Sequence, residues 1–123
     1  GWFGKAYAID PDSPPNLYFL AQSMATLPGF PDSNAMNAAE SAHVGEPSVY
    51  DYAGYLAYLH LLRNERTLAQ AVLLPFTSNP HSPKHAARVR EAVDAIRAGK
   101  TTDEVMAILH AADDELKEKD DKK

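Results

Sequence analysis

Residues 82–116 read SPKHAARVREAVDAIRAGKTTDEVMAILHAADDEL, and they carry the clearest helical pattern in the chain. Ser82 and Pro83 are typical of the cap and the first residue of a helix, and Gly99 is typical of its end. A second helix begins with the capping box formed by residues 101–104. Apolar side chains recur at helical spacing through both helices, at Ala86, Val89, Val93, Ile96, Val105, Ile108, Leu109, Ala112 and Leu116. The segment therefore predicts two amphipathic helices joined by a short glycine turn.

The segment from Pro47 to about Leu62 is the best candidate for a central helix. Pro47 suits the first turn, where a backbone N–H has no partner within the helix, and apolar residues surround nearly the whole circumference. We expect such a helix to be buried on most sides. Four tyrosines lie on it, Tyr50, Tyr52, Tyr55 and Tyr58. Their rings are expected to pack in the core or at an interface while the hydroxyls reach partners or water.

Two shorter helices are expected nearer the start of the chain. Asn16 is a candidate cap for a helix over residues 17–27, and Asn34 is a candidate cap for an alanine-rich helix through Ala42. All nine prolines lie at or before Pro83. The first two-thirds of the chain should therefore consist of short elements, and the last third can be continuous helix.

The predicted fold is mainly α, a compact bundle of five or six short helices with room for one or two short strands. Residues 2–9 are aromatic and partly alternating, which fits a strand. Residues 67–76 fit a helix, which is favoured, but residues 72–76 also fit a short buried strand. If these two segments pair, the alternative is a small α+β domain. We expect one globular domain over residues 1–116 and a charged, frayed tail over residues 117–123.

The composition is that of an ordinary soluble domain. A hydrophobic fraction of 45% and a charged fraction of 24% exclude collagen, a fully disordered chain and a disulfide miniprotein. The lack of cysteine excludes a thiol nucleophile and Cys-ligated zinc or iron–sulfur sites. The longest apolar stretch, residues 50–62, is too short to cross a bilayer, so no membrane span is predicted. The compartment stays open, with the cytoplasm slightly favoured.

Charge is distributed unevenly along this acidic chain. Residues 1–59 carry −5, residues 60–100 carry +4 and residues 101–123 carry −4, which gives the net charge of −5. The basic middle segment either attracts its acidic neighbours within the fold, which is favoured, or contacts an anionic partner. In the second case, contact with nucleic-acid phosphates is expected through five cations. These are Arg63, Arg66, Lys84, Arg88 and Arg90.

Motifs of known chemistry are lacking. His81 and His85 have the spacing of two metal ligands on one helix face, but Pro83 places His81 before the helix. The sequence contains neither a glycine-rich phosphate loop nor a nucleophile elbow. No metal site and no cofactor are therefore predicted. An enzyme would have to use residues dispersed in the sequence, such as His43, Asp51 and His60.

Three classes of function follow from these features. The favoured one is a non-enzymatic protein-interaction or assembly subunit, which binds a protein partner or itself through helical, tyrosine- and alanine-rich surfaces. The second is an accessory nucleic-acid-contacting protein of a chromosomal, viral or phage assembly, which uses the basic segment 63–100. The third is an enzyme with a site assembled from dispersed His and Asp residues.

Overall fold

The structure is a computed structural model, and it describes residues 13–26, 29–78 and 81–121. These residues form the α-helices α1 (Pro14–Ser23), α2 (Ser33–Gly45), α3 (Tyr50–Leu62), α4 (Arg66–Leu73), α5 (Pro83–Arg97) and α6 (Thr102–Asp121). Short 3₁₀ segments follow α1 at Met24–Thr26 and α4 at Leu74–Ser78.

The prediction of a mainly helical fold is confirmed. The described ranges contain no strand, and residues 67–76 are helical, so the α+β alternative is not supported. The strand predicted for residues 2–9 lies outside the described residues.

The described residues fall into two compact units that divide between Leu59 and His60, near the end of α3. The first unit contains α1, α2 and most of α3. The second contains the last turn of α3 together with α4, α5 and α6. One domain over residues 1–116 with a separate tail stays a prediction; α6 continues to Asp121.

In the first unit, α1 and α2 pack against each other, and most of their buried residues are small. Their buried alanines are Ala21, Ala35, Ala38, Ala39 and Ala42. Gly45, the last residue of α2, lies against Pro14, the first residue of α1. A methyl group at Gly45 would come within 2.8 Å of the Cγ atom of Pro14. Glycine is therefore needed at this position for the two helix ends to approach so closely.

The start of α1 differs from the prediction. The helix begins at Pro14 with Ser13 in the cap position, so Asn16 lies inside the helix, where it is buried. Proline is tolerated in the first helical turn, and two prolines there move the start of the helix upstream of Asn16. The helix ends at Ser23 and a 3₁₀ turn follows, so α1 is also shorter than predicted.

The starts of α2 and α3 also differ from the prediction. Asp32 caps α2, because its carboxylate accepts a hydrogen bond from the backbone N–H of Ala35 at 2.9 Å. The prediction of Asn34 as the cap of this helix is wrong, because Asp and Asn both cap helices well and the structure uses Asp32. Pro47 lies in a turn, and α3 begins only at Tyr50.

The prediction that α3 is buried on most sides is confirmed. Its buried residues are Tyr52, Ala53, Gly54, Leu56, Ala57, Leu59 and Leu61. At 3.6 residues per turn, these positions span about 220° of the helix circumference, and the exposed residues Asp51 and Leu62 lie on the remaining arc.

In the second unit, a tight turn joins α3 to α4. Asn64 has a φ of 60°, in the left-handed region that Asn tolerates better than most residues. The N–H of Glu65 then donates to the carbonyl of His60 at 2.7 Å, and α4 starts at the next residue.

The predicted helices α5 and α6 are confirmed, and so is the turn between them. Gly99 has a φ of +83°, and the N–H of Lys100 donates to the carbonyl of Ala95 at 3.0 Å, which is the pattern of a Schellman cap. The hydroxyl of Thr101 accepts a hydrogen bond from the N–H of Glu104 at 3.1 Å. Ser82 occupies the cap position of α5, but its side chain makes no capping hydrogen bond.

Candidate interaction surface

Arg66, one of the predicted anion contacts, closes the C-terminal end of α5. Its Nε and Nη2 atoms donate hydrogen bonds to the carbonyl oxygen of Ile96 at 3.1 and 2.9 Å, and Nη2 also donates to the carbonyl of Lys100 at 2.7 Å. Carbonyls at a helix C-terminus lack partners within the helix and carry partial negative charge, so a cation is stabilised there. Arg66 therefore holds α4 to the end of α5.

Two other predicted contacts pair with carboxylates. Arg88 donates to Glu91 at 3.1 Å, and the Nε atom of Arg63 lies 3.8 Å from a carboxylate oxygen of Glu65. Exposed pairs of this kind stabilise a protein by at most about 1 kcal/mol, but they reduce the positive charge offered to a partner. Lys84 is exposed and makes no ion pair with a described residue. Nucleic-acid contact through these cations stays a prediction.

Arg90 lies beside the 3₁₀ segment that follows α4. Its Nη1 atom donates a hydrogen bond to the carbonyl oxygen of Thr77. Arg90 is exposed, and it makes no ion pair with any residue in the described ranges. The guanidinium is thus held in place by a neutral acceptor while its charge is not compensated there.

The predicted tyrosines pack around a tyrosine that the sequence analysis did not single out. The ring centroid of Tyr18, on α1, lies 5.0 Å from that of Tyr52 and 5.6 Å from that of Tyr55. The centroids of Tyr55 and Tyr58 are 6.0 Å apart. Pairs in such geometries contribute about 0.5–1.5 kcal/mol beyond burial of their area. These rings stabilise the first unit.

Burial also affects the hydroxyls of this cluster. Burial raises the pKa of Tyr55 to about 12, with smaller contributions from Tyr58 and Tyr18. The Tyr55 hydroxyl donates a long hydrogen bond of 3.4 Å to the carbonyl of Ala21. Tyr52 is buried, whereas Tyr50 is half-buried. An interface role for the predicted tyrosines stays a prediction.

His81 and His85 do not act as a pair. His81 is exposed in the turn before α5, as predicted from Pro83. His85 is buried, and its Nδ1 atom lies 2.8 Å from the carbonyl oxygen of Ala112, to which it donates a hydrogen bond that ties α5 to α6. Within the described residues, no group of three or more His, Asp and Glu side chains is placed to hold a metal ion.

The remaining predicted histidines lie on α2 and α3. His60 bonds Glu65 through Nδ1 at 3.0 Å, and this hydrogen bond, with the charge of Arg63 assisting, lowers the pKa of Glu65. The Nδ1 atom of His43 is buried and has no hydrogen-bond partner among the described residues. Burial lowers the pKa of His43, although the charge of Glu40 opposes the shift.

An open groove of about 290 Å³ lies between α1 and α2. It is lined by Leu17, Leu20, Met24, Asn34, Asn37, Ala38 and Ser41. None of these side chains titrates near neutral pH, so the groove offers no general acid or base.

The second unit has an exposed apolar surface on α4 and the 3₁₀ segment after it. One side of this segment is buried through Ala69 and Leu73, whereas Leu68 and Leu74 on the other side are 49% and 51% exposed. We call this other side the uncharged face, which consists of the exposed residues Thr67, Leu68, Ala71, Leu74, Pro75 and Ser78. A helix surface in water ordinarily carries charged side chains, and the cores of protein interfaces are depleted in them.

The uncharged face was not predicted from the sequence, although the sequence carries a signal for it. No Asp, Glu, Lys or Arg occurs between Arg66 and Lys84, in a chain of which 24% is charged. The local pattern of residues 67–76 predicts a helix or a strand and does not by itself indicate a binding surface. Their amphipathic helical pattern and missing charges together indicate an exposed surface that suits contact with protein.

The comparisons with known proteins add no relative. No protein-family model matches the chain, and neither a curated protein nor a solved structure is significantly similar to it. No helix in the described part of the chain is both long and apolar enough to cross a membrane.

Proposed function

We propose that this chain is a non-enzymatic protein-interaction subunit whose second unit binds its partner through the uncharged face. The observation that carries the proposal is the pair of half-exposed leucines, Leu68 and Leu74, on a face without charge. Complete burial of a leucine side chain is favourable by about 1.5–3 kcal/mol, and about half of each remains to be buried. Covering both leucines would therefore contribute on the order of 1.5–3 kcal/mol to binding.

The contacts of the other candidate residues favour this function over the two alternatives. Arg66, Arg88 and Arg63 are engaged with carbonyls or carboxylates of the chain itself, which weakens the case for phosphate contact. The groove between α1 and α2 has no acid or base to support catalysis. Binding of a partner to the uncharged face requires only the burial of apolar surface.

The test is site-specific photo-cross-linking in extracts of the cells that make the protein. A benzophenone amino acid replaces Ala71, in the centre of the uncharged face, and in a second protein it replaces Ala87, which is exposed on α5. The Ala71 version is also made with Leu68→Asp and Leu74→Asp, and separately with Val44→Asp. Val44 is 68% exposed in the first unit and serves as the matched apolar control.

We expect a discrete adduct from position 71 that is absent from position 87. The adduct should disappear with the two leucine substitutions and persist with Val44→Asp, because only the former place charge in the contact. An adduct that survives the leucine substitutions, or that forms equally from both positions, would contradict the proposal.

A further inference from the structure

The charge beside the uncharged face constrains what binds there. Arg90 donates to the carbonyl of Thr77, next to Ser78 at the C-terminal end of the face. Its Nε and Nη2 atoms make no hydrogen bond to a described residue. A guanidinium held through Nη1 leaves the N–H groups of Nε and Nη2 available on one side, and this fork suits a carboxylate, which accepts two parallel hydrogen bonds from it.

A second copy of the chain does not complement this arrangement. Its own uncharged face would present leucines but no carboxylate to Arg90. Glu65, the acidic residue nearest to that face in sequence, already bonds His60 at 3.0 Å.

A lipid surface is also a poorer match than a peptide. Helices that lie on membranes usually present several mobile Lys and Arg side chains beside a long apolar face. Here α4 has eight residues, and the face itself contains no basic residue.

We propose that the partner presents an amphipathic peptide segment whose apolar side chains cover Leu68 and Leu74 and whose Asp or Glu carboxylate pairs with Arg90. This inference rests on the proposed function and specifies the chemistry of the partner. The face extends from Thr67 to Ser78, about 20 Å at the rises of α- and 3₁₀-helices. A helical segment of about 13 residues covers that length.

The test is fluorescence anisotropy with two labelled synthetic peptides and the full chain. Both peptides share one amphipathic leucine pattern over about 13 residues, the length of the face. One has Glu at both ends and the other has Lys at the same positions, so that the direction in which a peptide binds does not matter. The variants are Arg90→Glu and, as a matched control on the same helix, Arg97→Glu; Arg97 is exposed and lies 3.6 Å from Asp94.

We expect wild type and Arg97→Glu to bind the Glu peptide at least about tenfold more tightly than the Lys peptide, which corresponds to about 1.4 kcal/mol. Arg90→Glu should reverse this preference, and a reversal cannot arise from loss of folding. If both peptides bind equally and their binding depends on Leu68 and Leu74, the inference of an acidic partner is overturned and the proposed function still stands. The acidic partner would also be overturned if neither peptide binds, if the chain dimerises through the face, or if vesicles of anionic phospholipid bind in place of the Glu peptide.

Discussion

The guanidinium of Arg66 donates two hydrogen bonds to the carbonyl oxygen of Ile96, from Nε at 3.1 Å and from Nη2 at 2.9 Å. The two residues lie 30 positions apart, at the start of α4 and near the end of α5. A residue that sequence suggested as a contact for an external anion thus completes the C-terminal cap of a helix within its own unit. The same contact orients α4, whose outer side is the uncharged face.

Replacement of Arg66 should destabilise the second unit. Arg66→Ala removes charged hydrogen bonds to two carbonyls and is expected to lower the free energy of unfolding by about 2–3 kcal/mol. Arg66→Lys should recover only part of this, because an ammonium cannot reproduce the planar fork. Urea denaturation provides the measurement. As a control, Arg97→Ala removes an exposed pair and should change stability by less than about 0.5 kcal/mol; an equal loss in both alanine variants would show that the cap is unimportant.

Two glycines should respond in opposite directions to alanine. Gly45→Ala places a methyl group within 2.8 Å of Pro14, and we expect a loss of about 1–3 kcal/mol. Gly54→Ala in α3 finds its nearest atom, the Cζ of Tyr50, at 4.0 Å, so the gain in helix propensity should stabilise by up to about 1 kcal/mol. Thermal unfolding of both variants distinguishes these outcomes. A Gly45→Ala protein as stable as wild type would contradict the close approach of α1 and α2.

His43 should make folding sensitive to pH. Burial lowers its pKa below the ordinary value of 6.5, so below pH 6.5 the unfolded chain binds a proton that the native chain resists. Neutral His43 therefore imposes no penalty on the free energy of unfolding above that pH. The free energy of unfolding decreases as the pH falls through the window between the pKa of His43 in the unfolded chain and its lower pKa in the folded chain. His43→Leu removes this titration and also the unpartnered Nδ1 atom. As the pH falls from about 8 to about 5, the free energy of unfolding of the variant should increase relative to that of wild type. Urea denaturation at each pH provides the measurement. A constant or falling difference would be inconsistent with a lowered pKa.

His85 should matter for stability and not for metal binding. His85→Leu removes the hydrogen bond to the carbonyl of Ala112 in the buried contact between α5 and α6, and we expect a loss of about 1–3 kcal/mol. His110→Leu, at an exposed position of α6, is the control and should change stability by less than about 0.5 kcal/mol. Zinc or nickel should not raise the unfolding temperature of the wild type. Stabilisation by either metal that His85→Leu abolishes would restore a metal role.

The elements that sequence predicted best are those specified by neighbouring residues. The start of α6 depends on Thr101 and Glu104, and the end of α5 depends on Gly99, and in each case the deciding groups lie within one helical turn. The start of α2 was predicted less well, because Asp32 and Asn34 are both good caps and lie close together.

Contacts between distant residues could not be predicted from local pattern. Tyr18 joins the tyrosines of α3 only because α1 packs nearby, and the pairing of Arg66 with Ile96 requires α4 to meet the end of α5. The uncharged face is an intermediate case. The lack of charged residues is visible in the sequence. The exposure of the face is not, because it depends on which side of α4 packs against α5.

The most direct test of the central claim is the dissociation constant of the complex with the partner identified by cross-linking, measured with purified components. Wild type is compared with the variant that carries Leu68→Asp and Leu74→Asp, after both are shown to unfold at the same temperature. The account predicts at least about hundredfold weaker binding by the variant, because two apolar contacts are lost and two carboxylates would be buried without partners. An unchanged dissociation constant would contradict the assignment of the uncharged face as the binding surface.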